Sequence, residues 1–257
     1  MENKKTLLAS GCSFTFEPWN WPKWVSKEMG WNLINVGMGS TGNGLISKKI
    51  IYQVEKQLKV LKPEDIVVGV MWSGVDRKEF YIDNARMRNN NDGWFQNPTN
   101  VIDRRNNWLI TNIHWKLEES EMWYRNFHTI VGSFIETIED ILRIQWYLEK
   151  KNIKYFMTTY MDIFDATYKD KHKMSLLGGV GADVKITEHP EIKYLYELID
   201  KTKFIDIKGC YEWVIENHLL KGMPNGTMVW GTHPNEDGHR LFSKEVIIPH
   251  LKKYLNE

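Results

Sequence analysis

Cysteine is almost missing from this chain: its 257 residues include only Cys12 and Cys210. Two thiols make no disulfide framework, which excludes a small cross-linked secreted scaffold and points to a reducing compartment. Long apolar runs are missing as well. Met1-Glu2-Asn3-Lys4-Lys5 leads into only a short stretch of apolar character, Thr6-Leu7-Leu8-Ala9. That is too little for the core of a signal peptide, and no later stretch approaches a membrane span. The reading is a cytoplasmic protein with no membrane partner. Neither sign of charge prevails: 34 Lys and Arg stand against 33 Asp and Glu, a formal net charge of +1. Phosphate binding needs clustered positive charge, so no nucleic acid partner is expected. The basic cluster from Lys169 to Lys173 is interrupted by Asp170 and reads as a solvated face. Cys-x-x-Cys and His-Glu-x-x-His spacings do not occur, and His233 and His239 alone make no metal site.

Tryptophan, in contrast, is abundant, with 12 residues, and Trp19, Trp21, Trp24 and Trp31 lie close together. Such side chains fill cores, and they also stack on sugar rings and line clefts.

Strands and helices alternate along the chain. Lys5–Ser10, Asn32–Val36, Asp65–Met71, Lys154–Tyr160 and Phe204–Asp206 read as five short strands. Helical spacing covers Trp21–Met29, Leu45–Leu61, a long stretch through Phe134–Leu148, Glu191–Asp200, Tyr211–Leu220 and a final segment from Asn235 or Gly238 to Tyr254. This order predicts an α/β sandwich on a mostly parallel sheet, in one domain over 1–257. The stretch from about 80 to 128 carries Trp94, Trp108, Trp115 and Trp123 among Asn-rich loops. It is expected to be an insertion with some helix, leaving from the end of the third strand as a lid or specificity wall. Ligands of such sheets bind at the carboxyl ends of the strands.

Two fragments at those ends carry chemistry. Gly11-Cys12-Ser13-Phe14-Thr15 follows the first strand, and His233-Pro234-Asn235 precedes the last helix. A serine nucleophile needs a base that is neutral near pH 7, which is the role of histidine. Read singly, Ser13 is a turn residue and His233 a capping or surface residue. Cys12 is expected to be a small buried neighbour, pointing away from Ser13. The loop Gly37-x-Gly39-x-x-Gly42 looks like a dinucleotide fingerprint. It follows the second strand instead of the first, and the acidic partner at the end of the next strand is not at the required spacing. No nicotinamide or flavin cofactor is expected.

Taken together, Gly-x-Ser-Phe-Thr and His-Pro-Asn-x-x-Gly-His resemble the first and last blocks of the SGNH (GDSL-type) hydrolases. The resemblance implies a flavodoxin-like three-layer α/β/α sandwich and hydrolysis of a carboxylic ester, an acetyl ester above all. Ser13 would be the nucleophile, His233 the base and His239 a packing residue. The family builds its oxyanion hole from the serine N–H, a glycine N–H after the second strand and an asparagine after the third. Gly39 fits the second donor, with Ser40 and Gly42 as neighbouring choices. No asparagine follows the third strand in Met71-Trp72-Ser73-Gly74, so Asn43 is the expected third donor and Ser73 the alternative. The family's aspartate three residues before the histidine is replaced by Trp230. A backbone carbonyl, Asp206, or nothing at all then orients His233. The expected substrate is a small-molecule or glycan ester. An acetyltransferase using the same residues, or a binding protein that kept only the sandwich, is the alternative.

Overall fold

The computed structural model describes residues 4–81, 102–103, 108–111, 118–164, 185–219 and 233–255. Its centre is a parallel sheet of four strands: β1 (Thr6–Gly11), β2 (Asn32–Asn35), β3 (Ile66–Trp72) and β7 (Lys154–Thr159), in the order β2-β1-β3-β7. β1 and β3 are buried at every position, as continuous apolar runs in a covered parallel sheet must be. Their side chains divide with period two. Leu8, Val68, Val70, Tyr155 and Met157 face one layer, while Leu7, Ala9, Val67, Met71 and Phe156 face the other.

The first layer is α3 (Asn43–Gln57), α5 (Ile130–Lys150) and α6 (Pro190–Glu197), which place Ile46, Ile50, Val54, Phe134, Ile138 and Ile192 on the sheet. The second is α2 (Trp21–Met29), α7 (Cys210–Glu216), α8 (Glu236–Phe242) and α9 (Ile248–Leu255). The three-layer α/β/α sandwich is therefore present. Among the described residues no helix is long and apolar enough to cross a membrane.

Three features differ from the expectation. The fifth strand is reduced to one parallel bridge, Phe204 to Met157. Ile205 N–H still donates to Met157 C=O (2.9 Å), but Ile207 N–H turns back onto Ile205 C=O (2.8 Å), and pairing ends there. The final helix is not regular. A π turn over Ser243–Ile247 separates α8 from α9, next to Pro249, which has no N–H to donate into the preceding turn. The insertion contains an antiparallel sheet, β4 (Lys78–Tyr81), β5 (Ile102–Asp103) and β6 (Trp108–Thr111) in the order β4-β6-β5, and a helix, α4 (Glu118–Asn126). Tyr81 pairs across the strands with Trp108, ring centroids 5.4 Å apart. Buried Ile110, with Trp108 packed against it, contacts Met38 and Leu45. The insertion is thus seated on the loop that follows β2. Trp94 and Trp115 lie outside the described residues.

Candidate active site

β2 and β3 flank β1 on opposite sides, so the chain reverses direction across the sheet at the end of β1. In open α/β sheets the crevice at that switch point is where ligands bind. Ser13 stands there, on the first residue of a one-turn helix, α1 (Ser13–Phe16). Local packing explains the residues around it. A Cβ on Gly11 would lie 2.3 Å from Thr15 Oγ1 and 2.8 Å from Met71 O, so the turn closes only with glycine. Thr15 Oγ1 accepts from Trp21 Nε1 (3.1 Å), and Thr15 C=O accepts from Asn35 Nδ2 (2.6 Å). Asn20 Nδ2 donates to Ser13 C=O (2.8 Å). The serine turn is held from α2 and β2 at once.

His233 is placed by the start of α8. Asn235 Oδ1 accepts from Gly238 N–H (2.7 Å), capping the helix, and Asn235 N–H donates to Leu219 C=O (3.1 Å). Gly238 passes close under the same carbonyl: a Cβ there would stand 2.8 Å from Leu219 O. Asn235 and Gly238 of His-Pro-Asn-x-x-Gly-His thus fix where the helix starts. The outcome is that His233 Nε2 lies 2.7 Å from Ser13 Oγ, across 220 positions of sequence. Ser13 is half-buried and His233 exposed. The Phe14 ring lies tilted against the imidazole, centroids 5.0 Å apart. With Nε2 accepting from the serine hydroxyl, the ring proton belongs on Nδ1. Such a pair transfers the serine proton to the imidazole as Oγ attacks an acyl carbon.

His239 is buried, and burial together with the nearby His233 pushes its pKa down to about 3. It packs edge-on to Phe14 and remains neutral. Cys12 is fully buried in the second core layer. Gly39 lies on the half-buried turn after β2, with open space around its α-carbon, and its N–H donates to no described residue. Ser40 beside it has a left-handed backbone, φ 61°.

Asn43, expected as an oxyanion donor, is committed elsewhere. Its Oδ1 accepts from Ser73 N–H (2.7 Å), and its Nδ2 donates to Ser73 C=O (3.2 Å) and Thr137 Oγ1 (3.1 Å). Both amide hydrogens are used, and the side chain clamps the end of β3 to α3 and α5. Ser73 is itself wholly buried, its Oγ accepting from Arg77 Nη1 (2.6 Å). Asp206 is exposed and no hydrogen bond or ion pair joins it to His233. Position 230 lies outside the described residues.

A cavity of about 1210 Å³ opens elsewhere, between Thr159, Asp162, Asp206, Lys208 and Lys253. It includes neither Ser13 nor His233. Donor–acceptor geometry, and not cavity size, marks Ser13 and His233 as the candidate site. Among the described residues no group of three or more His, Cys, Asp or Glu side chains is arranged to hold a metal ion.

Three positioning residues were not singled out from the sequence: Asn20, Asn35 and Arg77. For the two asparagines the available signal was a short amide at the end of an element, where carboxamides tie loops together.

No curated protein matches the chain. Among solved structures, the psychrotrophic esterase EstA from Pseudoalteromonas sp. is 12% identical, with 99% of this chain and 100% of that chain covered and a TM-score of 0.47. A member of the lipolytic protein G-D-S-L family from Veillonella parvula is 13% identical, with 94% and 95% covered and a TM-score of 0.44. Likenesses of this degree leave the chemistry to the site itself. A family model matches residues 6–192, a span that includes all four strands and the Ser13 turn but stops short of His233. The chain belongs to that family, DUF6071, described as a family of unknown function.

Proposed function

We propose that this protein is a serine hydrolase that cleaves a carboxylic ester through an acyl-enzyme on Ser13. The observation that carries the reading is the 2.7 Å contact between Ser13 Oγ and His233 Nε2 at the switch point of the sheet. In the reaction, Nε2 takes the hydroxyl proton as Oγ bonds to the ester carbon, and the carbonyl π pair moves onto oxygen. The imidazolium then gives that proton to the departing alcohol as the C–O bond breaks. Water, deprotonated by the same nitrogen, attacks the acyl-enzyme and releases the acid and the serine. The N–H groups of Ser13 and Gly39 are assigned to the oxyanion, since neither donates to a described residue. Fixed donors of this kind are each worth about 3 kcal/mol of barrier. Asn43 is not assigned there.

The finer reading is an acetyl ester on a sugar or aryl alcohol. Its support is the abundance of tryptophan in the chain, 12 residues, together with the packing of Trp108 against the cluster of Met38, Leu45 and Ile110 beside the Gly39 turn. The insertion is assigned the role of wall on that side, within one domain. A fluorophosphonate probe followed by peptide mass mapping tests the reading. It predicts one adduct, on Ser13; an unmodified Ser13 together with no turnover of short aryl or sugar acetates contradicts it.

A further inference from the structure

The turn that carries the Gly39 N–H is pinned at both ends and free in the middle. Before it, Gly37 N–H donates to Asn35 Oδ1 (2.9 Å) and Met38 N–H to Gly11 C=O (3.0 Å). Gly11 stands two residues ahead of Ser13, so the second of these bonds lays the turn beside the serine. After it, Thr41 C=O accepts from Arg77 Nη1 (3.3 Å), and Gly42 N–H donates to the Glu79 carboxylate. Both of those partners come from the chain beyond β3. Between the anchors, neither Gly39 N–H nor Ser40 N–H donates to a described residue.

The middle of the turn has an unfavourable shape. Ser40 has φ 61°, a left-handed backbone that glycine adopts freely and serine does not. Such a conformation persists only where its surroundings hold it. A four-residue turn is ordinarily closed by the N–H of its last residue on the C=O of its first. Here that bond, from Thr41 N–H to Met38 C=O, is long, at 3.4 Å. The Thr41 hydroxyl closes the turn instead, donating to the same carbonyl at 2.7 Å. No other described group donates to that carbonyl, and Thr41 is wholly buried, so water does not compete for the bond.

We propose that Thr41 is the positioning residue of the oxyanion turn: its hydroxyl, closed on Met38 C=O, keeps Ser40 left-handed and the Gly39 N–H directed at the ester oxygen that becomes negative when Ser13 attacks. The proposal rests on the hydrolase reading, and its test separates the two. T41V removes the hydroxyl and keeps the branched shape. It is expected to lower kcat on 4-nitrophenyl acetate, and the rate at which a fluorophosphonate labels Ser13, by about thirtyfold each, with KM within about twofold, because a displaced donor is missed in the transition state. T41S keeps the hydroxyl and should stay within about threefold of wild type. The double variant T41V/S40G should recover about fivefold of the loss, since glycine holds a positive φ unaided. S40V leaves the Thr41 bond in place at a half-buried position and opposes the left-handed backbone directly, so it should show the same fall in kcat. A T41V protein that melts earlier, yet keeps the wild-type kcat and labelling rate per folded molecule, overturns the proposal and leaves the hydrolase standing; so does an S40V protein with unchanged kcat. A wild-type protein whose Ser13 takes no label and which turns over no ester overturns both.

Discussion

Replacing Asn43 with alanine separates a clamp from an oxyanion donor. The carboxamide makes three hydrogen bonds, two of them to the backbone of Ser73, which is wholly buried. N43A leaves the Ser73 N–H and C=O without partners at the end of β3. A net hydrogen bond is worth about 1 kcal/mol, and an unsatisfied buried group costs about 1–3 kcal/mol. Partial relaxation around a small cavity brings the expected loss to about 3 kcal/mol. For a domain of this size that corresponds to a fall in Tm of about 5–10 °C. Differential scanning calorimetry reads it directly, with urea unfolding at 25 °C as a check. Asn43→Asp should be nearly as damaging, because the carboxylate has no hydrogen to donate to Ser73 C=O or Thr137 Oγ1. Unchanged Tm with a hundredfold fall in kcat would refute the reasoning, since that is the signature of a donor used only in the transition state.

Glu79 gives a pH prediction. Its half-buried carboxylate accepts from Gly42 N–H at the start of α3, and burial raises its pKa from 4.5 to about 7. The folded state then holds a proton that the unfolded chain has already released, so stability falls as pH rises from about 4.5 to 7 and is level above that. Allowing for partial exposure, the loss is about 2 kcal/mol. Glu79→Gln keeps an acceptor for Gly42; urea midpoints should show it more stable than wild type at pH 8 and close to it at pH 4.5, and lower stability at pH 8 would count against this. Gly238→Ala forces a methyl against Leu219 C=O and should cost about 1–3 kcal/mol. Because that contact also sets the start of α8, labelling of Ser13 should slow as well; an unchanged Tm would show that the helix simply shifts.

Much of the sandwich was legible because its strands are covered on both faces. Ile66–Trp72 is apolar throughout, a pattern that only a buried strand or helix tolerates, and its length decides for a strand. Trp21–Met29 was bounded by its own chemistry, with Pro22 at its start and Gly30 left-handed (φ 67°) at its stop. The segment Phe204–Asp206 carries the same local signal as a strand, yet a turn at Ile207 cuts its pairing to one bridge, and that turn has no distinctive residue. The small sheet of the insertion was missed because strands of two to four residues carry too few alternations to register. In the site, Ser13 and His233 were recognisable because their neighbours are there for shape: Gly11, Thr15, Asn235 and Gly238 each make a contact that no other residue type makes as well. The contacts of Asn43 and Arg77 were not, because they are made to two or more segments distant in sequence. The identity of a carboxamide or a guanidinium does not say which groups it will meet.

The rate at which a fluorophosphonate modifies Ser13 measures directly whether the hydroxyl–imidazole pair is a working couple. Intact mass over time, compared between wild type, His233→Ala and Ser13→Ala, should show rapid single labelling in the first, labelling slowed by about a thousandfold in the second and none in the third. Equal labelling rates with and without the His233 imidazole, or an adduct that persists in Ser13→Ala, would contradict it.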